Sequence, residues 1–300
     1  MKRDSIPRID MVSYGENRLL QEGFVAIPLD LSMSHDPSRS SPHYHDFFQV
    51  SLLLGSGSLM HDFRETTVSG VTLFFLSPGQ VHTVNRNPGM GGTIVSFTRD
   101  FFETGSGPTS GILLELPFFY ATEVMPWLPL GEAEGKPATR LFQEMQQEFD
   151  EGREGAAEIL RSLLRILMVR ASRWYAGEAS VADASRATVL VRRFQQEVEQ
   201  HHHEWSLLEP YARVLGVTVN HLNDVFREET GTSAGEHIRQ RRVLDAKRLL
   251  LHSSLSVAEI CFRLGFKDPS YFGRFFRRYE EISPAEFRMK IREKYQKGLH

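Results

Sequence analysis

The sequence predicts a two-domain α+β protein, a β-barrel or sandwich followed by helices, and three observations carry that prediction. Short β-rich runs fill residues 20–100, helical periods take over beyond about residue 137, and the last hundred residues repeat a helical unit twice. Three hundred residues suit two domains better than one. Hydrophobic residues at 41% and charged residues at 24% are ordinary for a chain that buries real cores. The first ten residues, MKRDSIPRID, lack the apolar stretch of a signal peptide. No run approaches the roughly 18 apolar residues that cross a bilayer. A single cysteine, Cys261, excludes an intrachain disulfide framework. The expectation is a cytoplasmic protein with no membrane partner.

The strands come first. FQVSLLL, VTLFFL and GTIVSF are separated by Gly, Pro, Ser and Asn turns, the pattern of a barrel or sandwich. ETGSGPTSG and GEAEGKP then mark loops and a boundary. Helical stripes follow at Phe142, Met145 and Phe149, at Leu160, Leu163, Leu164, Leu167 and Ala171, and at Leu190, Phe194 and Val198. Each stripe is most simply a helix packed on its own domain, and the leucine-rich 156–172 helix is also a candidate subunit interface. The expected boundaries are a barrel over 1–130, a helical linker or dimerisation region over 131–200, and an all-α domain over 201–300. His201, His202 and His203 are adjacent and cannot share one helical face, so they read as a solvated helix end rather than a metal site.

Charge divides with the domains. Residues 1–203 carry 18 Lys and Arg against 25 Asp and Glu, and residues 204–300 carry 17 against 13. Only the rear is suited to a polyanion. There SLLEPYARVLGV (206–217) is echoed by SVAEICFRLGF (256–266). Ser206 with Glu209 and Ser256 with Glu259 have capping-box spacing. Gly216 and Gly265 close the first helix of each unit, Thr218 and Asp268 cap the second, and Pro269 suits a first helical position. Pro210 falls early in its helix, less comfortably. Two helices joined by a short Gly-containing turn form a helix-turn-helix, and here there are two. SAGEHIRQRRVLDAKRLLLHS reads as one connecting helix. In the second unit Phe272, Phe275, Phe276 and Tyr279 project to one side, and Ser270, Gly273, Arg274, Arg277 and Arg278 to the other. Cys261 reads as a packed core thiol.

AEICFRLGF, SYFGRFFRRY and SPAEFR, together with LNDVFREETGTSAGEHIRQRRVLDAKRLL, make residues 206–290 closely similar to the DNA-binding domain of the AraC/XylS family of bacterial transcription regulators. The resemblance implies that helices at about 218–229 and 268–279 enter successive major grooves. Ser270, Gly273 and Arg274 would then meet base edges, and Lys267, Arg277 and Arg278 phosphates. In the first unit Asn220, Asn223 and Asp224 would face bases and Arg227 the backbone. The family often has Arg where this chain has Asp224, which implies weaker binding or a different base.

Upstream, His43, His45, Phe47 and Gln49 would share one side of an extended strand, and His82 follows a Pro-Gly turn. The arrangement H-x-H-x3-Q followed by P-G-x2-H resembles the cupin double motif and the sensor half of the same regulators. That resemblance implies a cupin-like barrel binding a small effector at His43, His45, Gln49 and His82. Structural hydrogen bonding and a bound metal remain alternatives, but Gln49 stands where metal-binding cupins carry Glu, and an amide is the poorer ligand. No metal and no cofactor is therefore expected. His35 and His61 read as surface residues. The expected partners are an operator duplex, a small-molecule effector, RNA polymerase for an activator, and a second copy of the chain. The alternative reading is a metal-dependent cupin enzyme, against which two capped reading helices argue.

Overall fold

A computed structural model describes residues 6–31, 41–62, 64–104, 117–120, 125–176 and 186–297. The chain forms two compact units, one over residues 7–181 and one over the C-terminal residues from 182 onward.

The first unit is β-rich. Its strands are β1 (Arg8–Ile9), β2 (Phe24–Pro28), β3 (Tyr44–His45), β4 (Phe48–Leu54), β5 (Gly57–His61), β6 (Arg64–Val68), β7 (Val71–Leu76), β8 (His82–Arg86), β9 (Gly91–Phe97) and β10 (Trp127–Leu130). A five-stranded sheet runs β10-β7-β4-β9-β2 and a three-stranded sheet β6-β5-β8. The two face one another across Leu53, Phe74, Leu76 and Ile94 from the larger sheet and Leu59, Val68 and Val84 from the smaller. Alternation sends Phe48, Val50, Leu52, Val95 and Phe97 to the other face of the large sheet. That face is covered by two long helices, α4 (Glu132–Glu151) and α5 (Ala156–Ala176), which follow the short α1 (Arg18–Gln21), α2 (Arg99–Glu103) and α3 (Pro117–Tyr120). The leucine stripe of α5, with Leu160, Leu164, Leu167 and Ala171 buried, is consumed inside this unit. What remains outside on α5 is a different set, Ile159, Ile166 and Val169, beside half-buried Leu163.

The second unit is all helical: α6 (Arg186–His201), α7 (Glu209–Leu215), α8 (Val219–Thr230), α9 (Ala234–His252), α10 (Val257–Arg263), α11 (Pro269–Glu280) and α12 (Pro284–Lys297). The expected α+β class, β-rich in front and helical behind, is the one found. Phe194 of α6 packs edge-on against Tyr211 and Phe226, and Phe276 against Phe287. Each such buried ring contributes about 2–3 kcal/mol. The connecting helix α9 touches both repeats. Ala234 and Ile238 join the core of the first, and Arg242 donates to the Leu264 carbonyl at 2.6 Å and lies 4.0 Å over the Phe266 ring of the second.

Three local expectations need correction. Ser206 does not cap α7, which begins at Glu209 with Leu208 at the N-cap and no side-chain bond. Pro210 sets that start: it is tolerated only in the first turn, so the helix shortens until Pro210 lies there. The histidine run is not a solvated end, because α6 stops at His201 and the turn swings His202 inward, where it is 2% exposed. Its Nδ1–H donates to the Val198 carbonyl at 2.8 Å, and its Nε2 lies 2.9 Å from Asp245. His61 is half-buried and pairs in register with His82 rather than lying on the surface, whereas His35 lies outside the described residues.

Candidate nucleic-acid interface and barrel cluster

The second helices of the two repeats, α8 and α11, are built by the same chemistry. In the first repeat Gly216 takes the left-handed conformation at φ 70° and Thr218 accepts from the His221 amide. In the second Gly265 does so at φ 75°, Ser256 and Glu259 form a full capping box, and Asp268 accepts from the amides of Ser270 and Tyr271. The register continues past the helices, since Gly231 and Glu281 are both left-handed C-caps.

Burial separates the faces as the helical projection requires. Leu222 and Phe226 are buried in α8, and Phe272 and Phe276 in α11, with Phe275 and Tyr279 half-buried. Ser270, Arg274, Arg277, Arg278 and Lys267 are exposed and Gly273 is half-exposed. A Cβ on Gly273 would meet nothing within 4 Å, so the fold itself does not demand glycine there. Arg277 lies 3.8 Å from Glu286, whereas no ion pair involves Arg274, Arg278 or Lys267 among the described residues. In α8 Asn220, Asp224 and Arg227 are exposed and Asn223 half-exposed. The electrostatics of the two helices are opposite. Val219–Thr230 carries three carboxylates (Asp224, Glu228, Glu229) against Arg227, and Pro269–Glu280 carries three guanidiniums against Glu280. Tyr271, 54% exposed, stands beside Ser270 in the first turn of α11.

In the other unit, His43, His45 and His82 come together at one end of the β-structure. The His43 and His82 backbones exchange hydrogen bonds at 3.1 and 2.9 Å, and the His82 ring lies 4.3 Å from that of His43 and 4.8 Å from that of His45. The strand carrying them is broken, however. β3 pairs in parallel with β1, the chain bends at Asp46–Phe47, and β4 joins the large sheet. The bend is held by an ion pair from Arg8 to Asp46 and by the Gly79 amide donating to the His45 carbonyl. Phe47 folds back to stack on His45 at 4.1 Å. Gln49 is consequently engaged within its own sheet, donating to Ser51 and accepting from Ser96, both at 3.2 Å.

All three Nδ1 atoms face backbone carbonyls: Ser41 for His43 and Phe47 for His45 at 2.8 Å, and Gln80 for His82 at 3.2 Å. A carbonyl only accepts, so each Nδ1 carries a proton. Burial, together with the neighbouring His43 and His45, holds the His82 pKa well below its ordinary value. The His82 ring is thus an acceptor at Nε2 rather than a cation. Among the described residues, the three-residue group whose ligand atoms approach closely enough for a metal is His202, His203 and Asp245, in the other unit.

Comparison with known proteins places both halves. Residues 31–168 match the AraC-like ligand binding domain family, and residues 211–290 match a helix-turn-helix domain family. The HTH-type transcriptional activator RhaS of Enterobacter sp. strain 638 is 25% identical over 252 residues, spanning 82% of this chain and 86% of that protein. The HTH-type transcriptional regulator GlxA of Rhizobium meliloti strain 1021 is 39% identical over 77 residues, 26% of this chain and 24% of that one. The C-terminal domain of AraT, a response regulator from Geobacillus stearothermophilus, is 30% identical over 35% of this chain and 88% of that one, with a TM-score of 0.33.

Proposed function

From the premise that this chain belongs to the AraC family of transcriptional regulators, with a ligand-binding domain and a helix-turn-helix DNA-binding domain, we propose how its residues divide the work. α8 and α11 enter successive major grooves of an operator duplex. Arg274, Ser270 and Gly273 read bases in one groove and Asn220, Asn223 and Asp224 in the other, while Lys267, Arg227, Arg277 and Arg278 hold phosphates. The observation that carries this reading is the pair of capped, exposed helices at equivalent points of the repeat, one of them strongly basic. Asp224 accepts from a cytosine amino group and repels phosphate, so the second repeat supplies most of the affinity. An activator of this design also meets RNA polymerase, in the cytoplasm. Among the described residues no helix is long and apolar enough to cross a membrane.

Selection of bound duplexes from a random pool tests the assignment. Arg274→Ala is expected to relax one position of the selected motif, at a cost of about 1–3 kcal/mol against the correct base, whereas Arg277→Ala weakens all sequences alike. An identical motif from wild type and Arg274→Ala would remove Arg274 from base reading.

The barrel is proposed to hold a small effector at the histidine cluster. The buried, neutral His82 ring suits an uncharged molecule with a hydrogen-bond donor and offers nothing to balance an anion. An effector acts only by binding the active and inactive arrangements unequally. His45→Ala is therefore expected to abolish the change in reporter expression that added cell extract produces with wild type, while leaving duplex binding intact. A mutant that responds normally would relegate the cluster to scaffold. A metal-dependent enzyme is the weaker reading, since it leaves the reading helices without a task.

We further propose that the chain pairs through α5. Ile159, Leu163 and Ile166 recur at i, i+4 and i+7, Val169 extends the stripe, and the inward leucines are already satisfied. Ile166→Asp is expected to shift sedimentation from a dimer to a monomer at about 10 μM, with the helical circular-dichroism signal unchanged. Unchanged sedimentation would place the interface elsewhere.

A further inference from the structure

We propose that His202, His203 and Asp245 form a binding site for a divalent transition cation of the zinc class, tying the end of α6 to the helix that joins the two DNA-reading repeats. α6 ends at His201, so the next two residues leave the helical rotation that would separate them, and both reach Asp245 on α9. His202 Nε2 lies 2.9 Å and His203 Nε2 3.1 Å from the same oxygen, Asp245 Oδ2. One ligand atom from each residue lies within 4.8 Å of the others. A tetrahedral zinc with bonds of about 2.0–2.1 Å sets its ligand atoms about 3.3 Å apart, so a few tenths of an ångström of opening brings both histidine–Asp245 separations to that value.

The hydrogen bonding around the site supports a cation. His202 Nδ1–H donates to the Val198 carbonyl at 2.8 Å, which in the neutral ring leaves Nε2 as a lone pair. That lone pair faces a carboxylate oxygen, and two acceptors 2.9 Å apart need a positive charge between them. A backbone carbonyl on the far nitrogen is also the usual outer support of a metal-bound histidine. The other carboxylate oxygen, Oδ1, is held by Arg241 and lies 3.7 Å from Arg248. Glu199 grips Arg241 with both oxygens at 2.8 and 2.9 Å and offsets its charge. His203 is 40% exposed, which gives an ion a route in and leaves a coordination position for water. Two imidazoles and one carboxylate favour zinc, cobalt or nickel over magnesium or calcium.

The test uses the full chain without an affinity tag, stripped with chelator and titrated with cobalt(II). The expected result is one equivalent of visible d–d absorption, bleached by zinc, and a melting temperature raised by zinc but not by magnesium. His203→Ala, at a half-exposed position, is expected to weaken cobalt binding at least tenfold while the circular dichroism is preserved. His45→Ala, in the barrel, is expected to leave the titration unchanged. Absence of the absorption would overturn the proposal and identify the charge between His202 and Asp245 as a proton. Absorption that survives His203→Ala, or disappears with His45→Ala, would overturn it equally.

Discussion

Replacing Gly265 by alanine is expected to destabilise the DNA-binding unit by more than about 3 kcal/mol, while the same change at Gly216 costs about 1 kcal/mol. The two glycines occupy equivalent turns of the repeat, with φ 75° and 70°, so the left-handed penalty of about 1–2 kcal/mol is common to both. Their surroundings differ. A Cβ on Gly216 meets nothing within 4 Å, but one on Gly265 would lie 1.9 Å from the His203 carbonyl oxygen and 3.1 Å from its carbon. Both atoms are backbone, so no rotamer relieves the overlap. The turn after α6 must withdraw from the second repeat, which also disturbs the Arg242 contact to the Leu264 carbonyl. Hydrogen exchange resolved by peptide, on the full chain, checks this. Protection should fall across α9–α11 in Gly265→Ala and persist there in Gly216→Ala. Equal losses in the two variants would mean that only backbone conformation matters and that the close approach is soft.

Much of this architecture was legible in the sequence because it is written in short-range chemistry. FQVSLLL became β4 and VTLFFL became β7 residue for residue, since β-branched and aromatic runs bounded by turns leave few alternatives. The second helix of each repeat was equally plain, because Thr218, Asp268 and Pro269 are strong start signals. Long-range contacts were hidden. Nothing local announces that His202 will meet Asp245, 43 residues away, or that His61 will stand across a strand pair from His82. The single extended strand read through His43, His45, Phe47 and Gln49 was broken for a related reason. A period of two holds only while one strand continues, and the bend at Asp46–Phe47 is fixed by Arg8 and Gly79, which lie far off in sequence. The leucine stripe on α5 revealed an apolar face but not which neighbour it meets, so the exposed isoleucines were recognised only with the helix in place.

Lowering the pH from 7.5 to 5 is expected to weaken the C-terminal unit through His237, and His237→Leu to abolish most of that loss. His237 sits on α9 at 1% exposure, with its ring 5.2 Å from Phe226 and 6.0 Å from Phe194, and neither ring nitrogen has a hydrogen-bond partner among the described residues. Burial, aided by the Arg241 charge, depresses its pKa to about 4. In the unfolded chain the ring titrates near the ordinary value of about 6.5. Between those values the unfolded state binds the extra proton, so stability falls as pH drops. The contribution is fully present above pH 6.5, is lost progressively toward pH 4, and is limited to about 3 kcal/mol by the size of the shift. Leucine fills a similar volume without a titrating group and without two unsatisfied polar atoms, so it should also raise stability at neutral pH. Asp245 cannot imitate the effect, because against its burial the neighbouring Arg241 charge holds its pKa well below the usual carboxylate range and confines its titration to stronger acid. Urea unfolding of both proteins at pH 7.5 and 5, followed by exchange protection of α8 and α9, decides the matter. Wild type and His237→Leu losing the same stability over that interval would assign the acid sensitivity to another group.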